Sequence, residues 1–319
     1  MLLNVSNLKK YFPITTGVLS RVSGHVKAVD DVSFTIEQNQ VVGLVGESGC
    51  GKTTVGRCIL RLIEPTSGSI LFKDRDLLTL KGKALKTERR NLQIIFQDPL
   101  SSLNPRMTVG SILAEPFIVH NICRGADIES KVLDLLNVVS LPRTAVNRYP
   151  HEFSGGQRQR IGIARALALK PSLIIADEPV SALDVSVQAQ IINLLIDLKR
   201  EFGLSYLFIS HNLSVVKHIS DFIVVMYLGH VMETGPASIV CSQPLHPYTK
   251  ALLLAVPEPK ISPLRKRNVL FGDVPSPSNP PSGCVFHTRC PMVQEDCRVN
   301  HPALKDRGGN RYVRCPYAA

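Results

Sequence analysis

The chain has no tryptophan, and aromatic residues fill only 6% of its 319 positions. It has no apolar run near the roughly 18 residues that a membrane-crossing helix needs, and no internal repeat. The N-terminus, MLLNVSNLKKYFPI, reaches Lys9 and Lys10 only after its apolar residues and lacks a long hydrophobic core, so a secretory signal is not expected there. Composition is not extreme: 44% hydrophobic and 20% charged residues exclude disorder, collagen and coiled coil as whole-chain descriptions. The expectation is a cytosolic chain of one large or two ordinary domains, big enough to bury a core without disulfides. Work at a membrane would require docking onto other chains that span it.

Acidic residues are the scarcer charge, 26 against 37 basic ones, for a net +11. Such a surplus suits nucleic acid, an anionic membrane surface or a phosphate-bearing ligand. The positive residues are scattered, and the densest run is only Arg265-Lys266-Arg267. A solvated basic surface beside an anionic membrane is favoured over a nucleic-acid face, but charge alone decides nothing.

Residues 1–256 alternate short apolar strands with helical patterns, the mark of an α/β fold. Residues 41–45, 173–176, 206–209 and 222–227 read as buried strands. Val187, Ile191, Leu194, Leu195, Leu198 and Phe202 recur at helical spacing over 185–202, with Asp184 placed as N-cap. Between about 97 and 160 strands thin out, which predicts an inserted helical subdomain. From 257 the texture changes: ten of 22 prolines and four of eight cysteines fall in the last 63 residues. That predicts a separate, loop-rich appendage over 257–319.

Gly46-Glu47-Ser48-Gly49-Cys50-Gly51-Lys52-Thr53 fits G-x-x-x-x-G-K-[ST], with a buried strand before it and a helix opening at Thr54. Glycines at this spacing let backbone N–H groups curl around phosphate oxygens at the positive end of a helix. Lys52 would reach the β- and γ-phosphates, and the Thr53 hydroxyl would bind Mg²⁺. Leu173-Ile174-Ile175-Ala176-Asp177-Glu178 supplies the second half of such a site, a hydrophobic strand ending in acid. Asp177 would serve the Mg²⁺, and Glu178 would orient or deprotonate the attacking water.

Phe153-Ser154-Gly155-Gly156-Gln157 resembles the Leu-Ser-Gly-Gly-Gln signature of the ATP-binding-cassette family, with Phe in place of Leu. The family's other motifs follow in order over residues 1–256. Gln97 matches the Q-loop glutamine, Ser181-Ala182-Leu183-Asp184 the D-loop and His211 the switch histidine. Phe12, or Tyr11, matches the aromatic that stacks on adenine. The resemblance implies a P-loop NTPase: a RecA-like core, an antiparallel β subdomain and an inserted helical subdomain. It also implies ATP and Mg²⁺ as cofactors, with residues 46–54, Asp177, Asp184 and residues 154–157 around nucleotide. Gln97 joins Thr53 and Asp177 on Mg²⁺ and joins Glu178 and His211 in catalysis. Ser154, Gly155 and Gly156 would open a helix beginning near Gln157, facing the γ-phosphate held by a second ATPase subunit, identical or paralogous.

Longer strings resemble the peptide and nickel importer branch: residues 97–106, 148–153, Met226-Tyr227-Leu228-Gly229, 246–253, Pro275-Ser276-Pro277 and Gly283-Cys284. This implies an ATPase at the cytoplasmic face of the bacterial inner membrane, bound to two transmembrane permease subunits and served indirectly by a solute-binding protein. Di- or oligopeptides are the expected cargo, with nickel or another small solute as the alternative. A soluble cassette ATPase acting on nucleic acid is a different class. It would usually carry paired cassettes or long insertions, and neither is present. A non-hydrolysing sensor would be expected to lose Glu178 or His211, and both remain.

Cys284, Cys290, Cys297 and Cys315 place four thiols in 32 residues. Disulfides do not suit a reducing cytosol, and the C-x2-C pairs of a zinc ribbon are missing. Four such ligands suit a [4Fe–4S] cluster, and the tail resembles cluster-bearing tails of dipeptide-permease ATPases. Zinc and unligated core thiols remain open, and His287 reads as a substitute ligand or a surface histidine. Cys50, Cys58, Cys123 and Cys241 read as small packing residues. Cys50 is the expected target of thiol reagents.

Overall fold

The computed structural model describes residues 1–16, 21–255 and 272–318. The expected domain boundary at 256/257 and the run Arg265-Lys266-Arg267 lie outside the described residues. The chain folds as two compact units, Met1–Thr79 with Ile209–Ala319, and Leu80–Phe208.

The first unit holds an antiparallel sheet in the order Arg21–Ile36, Leu3–Thr16, Ser67–Phe72, Arg75–Asp76. Leu3 lies opposite both Ile36 and Phe72, and all three are fully buried. Along Ser67–Phe72 only Ile70 and Phe72 are buried, the period-two pattern of a one-sided sheet. A second sheet contributes, in order, Lys305–Asp306, Tyr312–Val313, His230–Pro236, Phe222–Tyr227 and Val41–Val45. Val41–Val45 runs parallel to Phe222–Tyr227, Val42 opposite Phe222, and its five residues are all buried. Leu228 and Gly229 both have positive φ between paired Tyr227 and His230, the two-residue turn that matches strand twist. The string Met226-Tyr227-Leu228-Gly229 is therefore the tip of a hairpin.

The C-terminal segment departs from the expected separate appendage. It packs within the first unit. Its strand Tyr312–Val313 pairs with His230–Pro236, Thr234 opposite Tyr312, and Phe286 and Val313 are fully buried. Composition concealed this, because a few apolar residues suffice when the core they enter belongs to another part of the chain.

In the second unit, Leu92–Ile95 pairs in parallel with Leu173–Asp177. Between them come only helices and 3₁₀ turns, chiefly Val109–Val119, Ala126–Val138 and Gly155–Leu167, as an inserted helical subdomain requires. Helix Val185–Phe202 occupies the expected span, buries Ile191, Ile192, Leu195 and Leu198, and ends at Gly203 with φ 64°. Phe202, expected on its apolar face, is exposed.

Candidate nucleotide-binding site

In the first unit the buried strand Val41–Val45 delivers the chain into the glycine loop, and helix Lys52–Ile59 leaves it. Gly51, the residue before this helix, has φ 104°, and a Cβ there would collide with the Ala28 carbonyl. Only glycine fits. Lys52 is 4% exposed and folds back, its ammonium donating to the Gly46 and Glu47 carbonyls at 2.8 and 2.9 Å. Thr53 and Thr54 are half-buried, and Ser48 and Gly49 are exposed. Cys50 is buried and burial raises its thiol pKa. That corrects the expectation of a reactive cysteine, since attack needs an accessible thiolate.

Also in this unit, Tyr11 donates from its hydroxyl to Asp30 at 2.6 Å, which commits its polar end. Phe12 is half-buried with the Lys10 ammonium 4.9 Å from its ring centre. His211 follows strand Ser205–Ser210 and is exposed.

In the second unit, parallel register explains how Gln97 meets Glu178. Ile95 lies opposite Ala176, so the residues two further along each strand emerge side by side. The Gln97 side-chain amide donates to Glu178 Oε2 at 3.0 Å. Asp177 is 4% exposed. Glu178 has φ 45°, a left-handed conformation uncommon outside glycine, and its carbonyl accepts from Ser181 Oγ at 3.0 Å and Ser181 N at 3.2 Å.

The signature helix begins at Gly155, two residues before the expected start. Ser154 is its N-cap: Oγ accepts from Gln157 N at 3.3 Å, while Gln157 Oε1 accepts from Ser154 N at 3.0 Å. Phe153, the departure from the family pattern, is buried beneath the Arg148 guanidinium, 4.5 Å from its ring centre. Asp184 takes the expected N-cap position of Val185–Phe202, without a side-chain capping bond.

The four tail cysteines line one cavity of about 220 Å³, together with His246 and His287. Burial pushes the Cys284 thiol up to about 11, and Cys297, Cys290 and Cys315 push it in the same direction. Among the described residues no group of three or more His, Cys, Asp or Glu is arranged to hold a metal ion. The His287 ring Nδ1 is 2.9 Å from the Cys284 carbonyl. Cys123 and Cys241 are half-buried, and Cys58 is buried.

Sequence reasoning missed three tail arginines. Arg289 pairs with Glu47 at 2.7 Å, Arg311 with fully buried Glu233 at 2.7 Å, and Arg314 with Asp31 at 3.2 Å. No local pattern signals such pairs, because their partners are 78 to 283 positions away.

Two family descriptions match this chain: "ABC transporter" over residues 29–181 and "Oligopeptide/dipeptide transporter, C-terminal region" over residues 232–297. The second opens within strand His230–Pro236, to which the tail is paired. The oligopeptide transport ATP-binding protein AppF of Bacillus subtilis (strain 168) is 55% identical, covering 98% of this chain and 96% of its own. A dimeric post-hydrolysis state of the ATP-binding cassette MJ0796, bound to ADP and Pi, has TM-score 0.66 and 28% identity over 74% of this chain and 99% of that one. CbiO1 of Clostridium perfringens, part of the ABC transporter complex cbiONQ, has TM-score 0.64 and 26% identity over 76% and 91%. A relative matching almost end to end shows that the chain belongs to the ABC transporter family of ATPases, in the branch carrying the oligopeptide/dipeptide transporter C-terminal region.

Proposed function

We propose that this chain hydrolyses ATP to drive peptide uptake, as one of two head-to-tail ATPase subunits docked on two permease subunits at the cytoplasmic face of the cell membrane. A solute-binding protein would deliver the peptide. The observation that carries this reading is the likeness to an oligopeptide transport ATP-binding protein along 98% of the chain, C-terminal region included. Among the described residues no helix is long and apolar enough to cross a membrane, so the reading assigns that work to the permease subunits.

Each side chain has a role in this reading. Lys52 would exchange the Gly46 and Glu47 carbonyls for β- and γ-phosphate oxygens. Thr53, Gln97 and Asp177 would hold Mg²⁺, which neutralises charge on the phosphates. Glu178, oriented by the Gln97 amide, would accept the proton of the attacking water, with His211 completing the catalytic set. Phe12 would stack on adenine. The amides of Gly155 and Gly156, at a positive helix end, would face the γ-phosphate held by the second subunit. Reconstitution with its permease subunits in vesicles tests the reading: peptide-loaded binding protein should stimulate ATP hydrolysis and peptide accumulation. Stimulation by nickel and not by peptide would move the chain to the metal-import branch. ATPase activity responding to nucleic acid and to no permease would overturn the transport reading.

We further propose that Cys284, Cys290, Cys297 and Cys315 hold a [4Fe–4S] cluster that staples the tail. Four thiols on one cavity support it. A cubane seats each of four thiolates on a different iron. Anaerobically purified chain should be brown with about four irons. Colourless chain with stoichiometric zinc, or with neither metal, would overturn it.

A further inference from the structure

Glu47 is the second residue of the glycine loop, and its carboxylate is negative in a loop shaped to receive a polyanion. Left free, that charge would oppose nucleotide binding. The C-terminal segment removes the problem: Arg289 Nη1 donates to Glu47 Oε2 at 2.7 Å and Nη2 to Oε1 at 3.1 Å, a two-pronged pair. The Arg289 side chain is 6% exposed and its guanidinium lies 5.8 Å from the Tyr227 ring centre. A second hold acts on the same residue's backbone. Glu47 N donates to the hydroxyl of fully buried Tyr248 at 2.9 Å. Tyr248, Tyr227 and Phe286 pack in one ring cluster, with centroids 4.8 to 5.4 Å apart. Phe286 lies three residues before Arg289 and accepts its backbone N–H at 3.0 Å.

Lys52 also holds Glu47, through the carbonyl. ATP would draw Lys52 away, leaving Arg289 and Tyr248 to keep the loop in shape. We propose that Arg289 is a positioning residue for ATP binding, holding and neutralising the phosphate-loop residue Glu47 from the C-terminal region. The proposal rests on the glycine loop being the ATP site. It makes the C-terminal region part of the nucleotide-binding machinery, so that nucleotide and tail stabilise one another reciprocally.

The test is Mg–ATP affinity of the full chain, measured by calorimetry for wild type, Arg289→Ala, Glu47→Gln and the double variant. Arg289→Ala should weaken binding about tenfold, because it leaves a carboxylate uncompensated beside phosphate. Adding Glu47→Gln should recover most of that loss, and Arg289→Lys should bind better than Arg289→Ala. A merely structural arginine would not give this rescue, since neutralising Glu47 does not repack a loosened tail. Wild-type affinity in Arg289→Ala, or an equal loss in the double variant, would overturn the proposal. Lys52→Ala separates the two levels: undiminished binding there would refute the ATP site itself, whatever Arg289 does.

Discussion

Glu178 sits at φ 45° with its carboxylate tied to Gln97, the geometry on which its proposed role as base rests. Glu178→Gln should retain ATP binding while hydrolysis falls about 10²- to 10⁴-fold, the usual worth of a positioned base. Single-turnover assays in the assembled transporter check this, and near-normal turnover would remove Glu178 from its role. His230 gives a pH prediction. Burial, with Arg314 and His301 nearby, lowers its pKa to about 4, against the opposing pull of Asp30 and Asp31. The folded chain therefore keeps it neutral while the unfolded chain protonates it near 6.5. Stability from this site is present at neutral pH and declines as pH falls from about 6.5 towards 4, by up to roughly 1.4 kcal/mol per pH unit. His230→Gln should flatten that part of the curve in urea unfolding at pH 7 and pH 5; unchanged steepness would show another group responsible.

At the scale of elements, the signature helix shows how one motif serves two demands. Ser154 and Gln157 cap each other, which leaves the glycine amides at the helix start. Gly156 also packs tightly inside its own chain, where a Cβ would collide with Val187. Gly156→Asp would therefore disturb this unit as well as any approaching subunit, and Ser154, exposed, is the cleaner probe. Ser154→Arg should lose about 1 kcal/mol of helix capping, keep monomer ATP binding and abolish turnover by the pair. Loss of monomer binding matching that of Lys52→Ala would sink the shared-site reading. The glycine loop and the acidic strand end were legible in the sequence, because each is local: residue types at fixed spacing dictate a turn or a strand end. The Gln97–Glu178 bond was not, because it depends on which two strands lie side by side and in what register.

At the scale of the whole molecule, the tail is the main departure from expectation. Phe286 and Val313 are buried in the first unit, and three arginines bind acids from far earlier in the chain. Phe286→Ala should destabilise the chain by about 3–5 kcal/mol, as for other large buried aromatics, with its unfolding midpoint in urea shifted accordingly. A shift no larger than that of an exposed Val299→Ala control would return the tail to an independent appendage. The sequence by itself determined the α/β class, the helical stretch after Gln97, the glycine loop, the acidic strand end and the family, because these are written in periodicity and short-range motifs. Only the tertiary structure decided that the C-terminal segment joins the first unit and that its four cysteines line one cavity. It alone brought Arg289 to the phosphate loop, because pairing across 242 positions depends on the path of the whole chain and leaves no mark on either neighbourhood.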